Sequence, residues 1–127
     1  MTIDTFKDSF QFYLKTEKQN FHDQAMKFKS ELREDEARFA LIEANIFDIF
    51  DQMFAVSVKK NIGQNPWQEP LKETYLNFFE KIPSNWKTNL AECKAHGLED
   101  EAFIETIKIG RAEAIKEAFL MMLDERG

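Results

Sequence analysis

Apolar side chains recur three, four or seven positions apart over residues 3–32, the spacing that forms one face of an α-helix. The members of this apolar stripe are Ile3, Phe6, Phe10, Tyr13, Leu14, Phe21, Ala25, Phe28 and Leu32. Thr2 stands just before the stripe and Asp4 lies in its first turn, and both residue types are favoured at a helix N-terminus. The pattern predicts an amphipathic helix over the first 30 or so residues.

Residues 1–62 contain neither proline nor glycine, so no residue enforces a helix end in this stretch. A single straight helix of about 60 residues would be roughly 90 Å long, which is too long for a compact domain of this size. We therefore expect a break over Ser30 to Glu36 (SELREDE), where Ser30 or Asp35 would cap a second helix. The alternative is one long helix that pairs with another chain.

The second segment, about 36–60, is apolar on more than one face. A helix that is apolar nearly all round is buried on several sides. It is expected to be the central helix of a bundle, or to face both its own core and a second subunit. On the second expectation, Phe47, Phe50 and Phe54 are the candidate interface residues, because aromatic side chains are enriched at the centres of interfaces.

Proline and glycine are more frequent in the second half of the chain than in the first. Gly63, Pro66 and Pro70 mark a loop over 61–70, with Trp67 expected to lie as a lid over the bundle. A short helix over 71–82 should end before Pro83, because the residue before proline avoids helical geometry. Ser84 would then cap a helix over about 85–96, and Gly97 would stop it in the left-handed conformation.

A last long helix is predicted from about Glu99 to Glu125, with an acidic first turn. Gly110, Ala114 and Ala118 lie four residues apart on it and form a small-residue seam. Glycine costs about 1 kcal/mol of helix propensity relative to alanine. We expect the close approach of another helix, or a kink, at this seam.

These elements predict an all-α fold, because alternation of β-branched residues is missing. The expected architecture is a single domain over 1–127, a bundle of four or five helices. It has two long N-terminal helices (or one long broken helix), a short middle helix and a long C-terminal helix. The length of 127 residues and the 43% hydrophobic content are those of a globular domain.

The charge of the chain limits the classes of partner that it can bind. The formal net charge is -6, and the densest basic spots are only pairs, Lys27/Lys29 and Lys59/Lys60. Nucleic-acid binding needs clustered Lys and Arg to neutralise phosphates, so we expect no nucleic-acid partner.

The most apolar stretch is too short and too polar to span a membrane, and the N-terminus lacks the apolar core of a signal peptide. A cytoplasmic protein without a membrane partner is expected.

The sequence offers few residues that could bind a metal ion or a cofactor. Cys93 is the one cysteine, and His22 and His96 lack the Glu-x-x-His spacing of bundle di-iron sites. Cys93 and His96 share a helix face three residues apart and are weak metal candidates, since zinc requires further ligands that the chain does not supply. A buried thiol beside a capping histidine is the favoured interpretation, and no cofactor is expected.

No combination of nucleophile, base and orienting group is found, nor a glycine-rich phosphate loop, so we do not expect an enzyme. Glu43 and Asp51 lie within the most apolar segment, and Arg111 lies midway along the last helix. If a carboxylate is buried, Arg111 is its natural partner. Such a buried polar pair is expected to be structural rather than catalytic.

Three hypotheses on function remain. The first is a non-catalytic protein–protein interaction module that self-associates as a homodimer, motivated by the apolar second helix. The second is a small acidic inhibitor, of the immunity-protein or antitoxin type, that captures a basic partner through complementary charge. The third is a small-molecule binder with a bundle cavity lined by some of the thirteen phenylalanines, and with Glu43, Asp51, Arg111 or Tyr75 as its polar contact.

Overall fold

The computed structural model describes residues 1–126, and over this range it contains helices and no strands. The four helices are α1 (Ile3–Ser30), α2 (Glu34–Lys60), α3 (Gln68–Ala95) and α4 (Glu99–Arg126). The all-helical class, the two long N-terminal helices and the long C-terminal helix are thus confirmed. The short middle helix is wrong, because α3 has 28 residues, as many as α1.

The break between α1 and α2 falls where the sequence predicts it, but its chemistry differs. Neither Ser30 nor Asp35 caps α2; the N-cap is Arg33, which makes no side-chain cap hydrogen bond. Leu32 has a φ of 61°, and the N–H of Arg33 donates to the carbonyl oxygen of Phe28 at 2.8 Å. This is a Schellman ending of α1 with leucine at the position that usually holds glycine.

Replacing Leu32 by glycine should raise the free energy of unfolding by about 0.5–1 kcal/mol, since a side chain in the left-handed region is strained. Little packing is lost, because Leu32 is 86% exposed. Urea unfolding of Leu32→Gly and Leu32→Ala provides the measurement, since alanine removes the exposed side chain and keeps the strain. Equal stability of the two variants would contradict the role assigned to strain.

Helix α3 continues through Pro83, where the sequence predicts the end of a helix. An interior proline costs about 3 kcal/mol, so packing must offset it. The Pro83 ring is itself buried, and Phe79 and Trp86 on the same stretch pack in or against the core. Ser84 is an exposed residue within the helix rather than a cap. The expected stop at Gly97 is confirmed by its φ of 69°.

The bundle is built from two helical hairpins. Helix α1 packs along α2, α3 packs along α4, and α2 also packs on α4. Helix α1 contacts α4 at few positions, so the two hairpins meet through α2 rather than all round. The apolar second helix is therefore the central helix of the bundle, which was one of the two expectations for it.

Aromatic rings fill the middle of the bundle. The centroids of the five central rings lie 4.8–6.2 Å apart, in the range of edge-to-face and offset contacts. The rings at the centre are Phe6, Phe10, Phe54, Tyr75 and Phe119. Trp67 is buried with its ring 5.5 Å from that of Phe6, and its Nε1 donates to the carbonyl oxygen of Met1 at 3.3 Å. Trp67 therefore lies over one end of the core.

At Gly110 the small-residue seam makes no close contact with another helix. Gly110 is exposed, and a Cβ added to it would meet no atom within 4 Å. The buried core residues of α4 are Ala112, Ile115, Phe119 and Leu123. The seam lies to one side of this core-facing row, so the expected close approach at Gly110 is wrong.

Candidate interaction groove between α1 and α4

An open groove of about 800 Å³ lies between α1 and α4. Helix α1 packs mainly against α2 and contacts α4 at few positions, which leaves this groove open between α1 and α4. The lining residues are Asp8, Ser9, Phe12, Tyr13, Thr16 and Glu17 of α1 and Met122 of α4. The groove is open along its length, which makes it a surface for a chain segment rather than a closed ligand cavity.

Phe12 is the most unusual residue of this groove. Its side chain is 74% exposed, and Met121, the neighbour of Met122 in sequence, is 60% exposed. Single exposed apolar residues are common, but a phenyl ring beside an apolar groove makes a contiguous patch. Phe12 was not predicted as a site residue, because it falls outside the apolar stripe of α1. An aromatic residue two positions after Phe10, on the opposite side of the helix, was the available signal.

The charged side chains that line the groove are carboxylates. Asp8 and Glu17 both belong to α1, and neither forms an ion pair with another of the side chains that the structure describes. Burial raises the pKa of the Tyr13 hydroxyl, Glu17 raises it further and Arg111 opposes them. Tyr13 therefore stays neutral at physiological pH and offers a hydrogen-bonding group in a groove of negative character.

The structure places Glu43 and Arg111 together, at the junction of α1, α2 and α4. The Nη2 and Nε atoms of Arg111 donate to Oε1 of Glu43 at 3.0 and 3.3 Å. Each side chain is about three-quarters buried, with 26% and 23% exposed. The guanidinium also lies 4.7 Å from the ring centroid of Phe21 and 5.7 Å from that of Phe47. This pair joins the three helices and leaves little of Arg111 for a ligand.

Asp51 is not part of this pair. It faces α1, where the side-chain amide of Gln11 donates to its Oδ1 at 3.5 Å. Burial raises the pKa of the Asp51 carboxyl, Lys15 acts in the opposite direction and Asp48 raises it again. The folded protein thus disfavours the ionised form of this carboxyl.

Asp51→Asn should stabilise the protein at neutral pH. A carboxyl whose pKa is higher in the folded than in the unfolded state binds its proton more tightly when folded. The free energy of unfolding should therefore rise as the pH falls through the raised pKa of Asp51. At neutral pH Asp51 is ionised, and burial of its charge destabilises the folded state. Urea unfolding should show a gain for the variant at pH 7 that shrinks toward about pH 3. Glu80→Gln, on an exposed part of α3, is the control. An equal gain at both pH values would assign the effect to something other than ionisation.

The three interface candidates are corrected by the structure. Phe47, Phe50 and Phe54 have no exposed surface, because α2 is covered by the other helices of its own bundle. Phe50 stacks on Phe79 with ring centroids 4.2 Å apart. They belong to the core and offer nothing to a second chain.

Tyr75, a candidate ligand contact, also lies inside the core. Its hydroxyl donates to the carbonyl oxygen of Phe50 at 2.9 Å. Burial raises the pKa of this hydroxyl well above its usual value, and Asp51 and Tyr13 add to the shift. The hydrogen-bonding capacity that a ligand would use is taken up within the fold.

Cys93 and His96 lie at the end of α3, where Cys93 is buried and His96 is exposed. Cys93 is buried, and burial raises the pKa of its thiol, as do the carboxylates of Glu101, Glu105 and Glu92. A thiol held protonated is a poor nucleophile and a poor metal ligand. His96 is the exposed C-cap residue of α3. Within residues 1–126, no group of three or more His, Cys, Asp or Glu side chains is placed to hold a metal ion.

Over the same described range, no helix combines the length and the apolar content that crossing a membrane requires. No family model matches the chain, and no curated protein or solved structure is significantly similar to it.

Proposed function

We propose that this protein is a non-catalytic protein–protein interaction module whose docking surface is the groove between α1 and α4. The observation that carries the proposal is the exposure of Phe12 beside that groove. Burying one such ring contributes about 1.5–3 kcal/mol, which is enough for a hot spot at the centre of an interface.

The polar groups of the chain support binding rather than chemistry. Arg111 is paired with Glu43, Tyr75 donates within the core, and the thiol of Cys93 is buried. The groups that face the groove are a phenyl ring, a thioether, hydroxyls and two carboxylates. Such a lining suits recognition of a protein surface with apolar and polar parts.

Photo-crosslinking in the source cells tests this proposal. A benzophenone amino acid replaces Phe12 in one variant and Ile62 in a second, because Ile62 is also exposed but lies in the α2–α3 loop. Position 12 should give discrete adducts whose crosslinked peptides can be sequenced, and position 62 should not. The proposal fails if position 12 gives no adduct beyond those of position 62.

Self-association is a second candidate for the same surface. Phe12 and the groove lie on one face, so two copies related by a twofold axis would each present a ring to the other's groove. Native mass spectrometry of the purified protein should then show a species at twice 15.0 kDa. Phe12→Ser should convert it to the monomer, and Ile62→Ser should leave it unchanged. A monomer at all working concentrations would eliminate the homodimer.

A further inference from the structure

We infer that the α1–α4 groove takes a basic amphipathic helix of a partner protein. This inference rests on the proposed function, and it names the class of segment that the groove fits. It follows from the shape, the length and the charge of the groove.

The shape of the groove favours a helix. Its lining comes from two long helices, with six residues of α1 and Met122 of α4. The α1 positions recur at helical spacing, from Asp8 through Phe12 and Thr16. A helix laid between two others packs its ridges into the grooves that their side chains form. This is the arrangement in which an amphipathic helix inserts its apolar face between Phe12 and Met122.

The length of the groove sets the spacing of the partner's charges. Asp8 and Glu17 are nine residues apart on α1, which corresponds to roughly 13 Å along the helix axis. A partner helix lying alongside would reach both carboxylates with Lys or Arg residues about nine positions apart. Its apolar residues would lie between them, at i, i+3 or i+4, and i+7.

The carboxylates of the groove predict that the partner segment is positively charged. Asp8 and Glu17 have no cationic partner within the described residues, so both carboxylates are available. A second copy of this chain has a net charge of -6 and would set like charges against each other. A cationic helix is therefore favoured over self-association.

The test measures binding of a labelled 18-residue Leu/Lys amphipathic peptide to the full chain by fluorescence anisotropy, with a Leu/Glu peptide of the same pattern as control. The Leu/Lys peptide should bind and the Leu/Glu peptide should not. Phe12→Ser should weaken binding of the Leu/Lys peptide about tenfold to a hundredfold, because it removes the apolar contact. Ile62→Ser should leave it unchanged.

The charge requirement is tested with matched variants. Asp8→Asn/Glu17→Gln should weaken binding of the Leu/Lys peptide by about five- to tenfold and reduce its salt dependence. Glu73→Gln/Glu80→Gln changes the net charge equally on an exposed part of α3 and should have no such effect. Equal weakening by both double variants would overturn the inference, because binding would then follow net charge rather than the groove.

Two further outcomes separate this inference from the proposed function. A homodimer that Phe12→Ser dissolves, with no binding of the Leu/Lys peptide, would overturn the basic helix and keep the interaction module. Absence of a dimer, of peptide binding and of adducts from position 12 would overturn both.

Discussion

Phe10→Ala is expected to lower the free energy of unfolding by about 3–5 kcal/mol, the largest loss among the single substitutions considered for this protein. Phe10 is fully buried, and its ring contacts those of Phe54, Tyr75 and Phe119, which come from three other helices. Truncation therefore leaves a cavity where all four helices meet. Urea unfolding followed by circular dichroism gives the measurement, with an unchanged slope as evidence that the native state is kept.

Phe12→Ala is the matched control, since the same substitution is made two residues further along the same helix. Phe12 is 74% exposed, so its loss should change stability by less than about 0.5 kcal/mol. The pair separates the two roles of phenylalanine in α1, one in the core and one at the groove. A similar loss for both variants would contradict the assignment of Phe12 to the surface.

The helices were predictable because their signals are local. The stripe of α1 repeats at helical spacing, and the α1–α2 break was expected because one helix of about 60 residues does not fit a compact domain. The stop at Gly97 is equally local, because the left-handed conformation favours glycine. The same conformation at Leu32 could not be predicted, as its strain is offset by the hydrogen bond from Arg33 to Phe28.

The errors arise where tertiary packing overrides a local rule. Pro83 is a helix breaker in isolation, but its buried ring and its neighbours Phe79 and Trp86 hold α3 against the core. The apolar surface of α2 predicted either a central helix or an interface, and periodicity cannot choose between them. The other helices of the bundle cover α2, so α2 is the central helix. Its side chains Phe47, Phe50 and Phe54 therefore lie in the core.

The groove depends on a feature that the sequence does not encode locally, the separation of α1 from α4. Asp8 and Glu17 are ordinary surface carboxylates until that separation places them on the flank of an apolar groove. Phe12 was visible as an aromatic residue outside the stripe. Its proximity to Met122, 110 positions later in the chain, required the fold.

Breaking the Glu43–Arg111 pair is expected to have the second largest effect. Arg111→Met should lower the free energy of unfolding by about 2–3 kcal/mol, because it removes charge-assisted hydrogen bonds and two ring contacts together. It also leaves the carboxylate of Glu43 three-quarters buried without a partner. Methionine keeps most of the aliphatic volume, so the loss reports on the guanidinium rather than on a cavity.

A double-mutant cycle with Glu43→Gln measures the pair itself. The double variant should be less destabilised than the sum of the two single variants, with a coupling free energy of about 1–2 kcal/mol. Arg111→Lys should fall between wild type and Arg111→Met, because lysine keeps the charge and loses the planar stacking on Phe21. Additivity within about 0.5 kcal/mol would show that the two side chains act separately. Coupling of the expected size would mean that this pair helps to hold α4 to the α1–α2 hairpin, because Arg111 of α4 contacts Glu43 of α2 and the ring of Phe21 in α1.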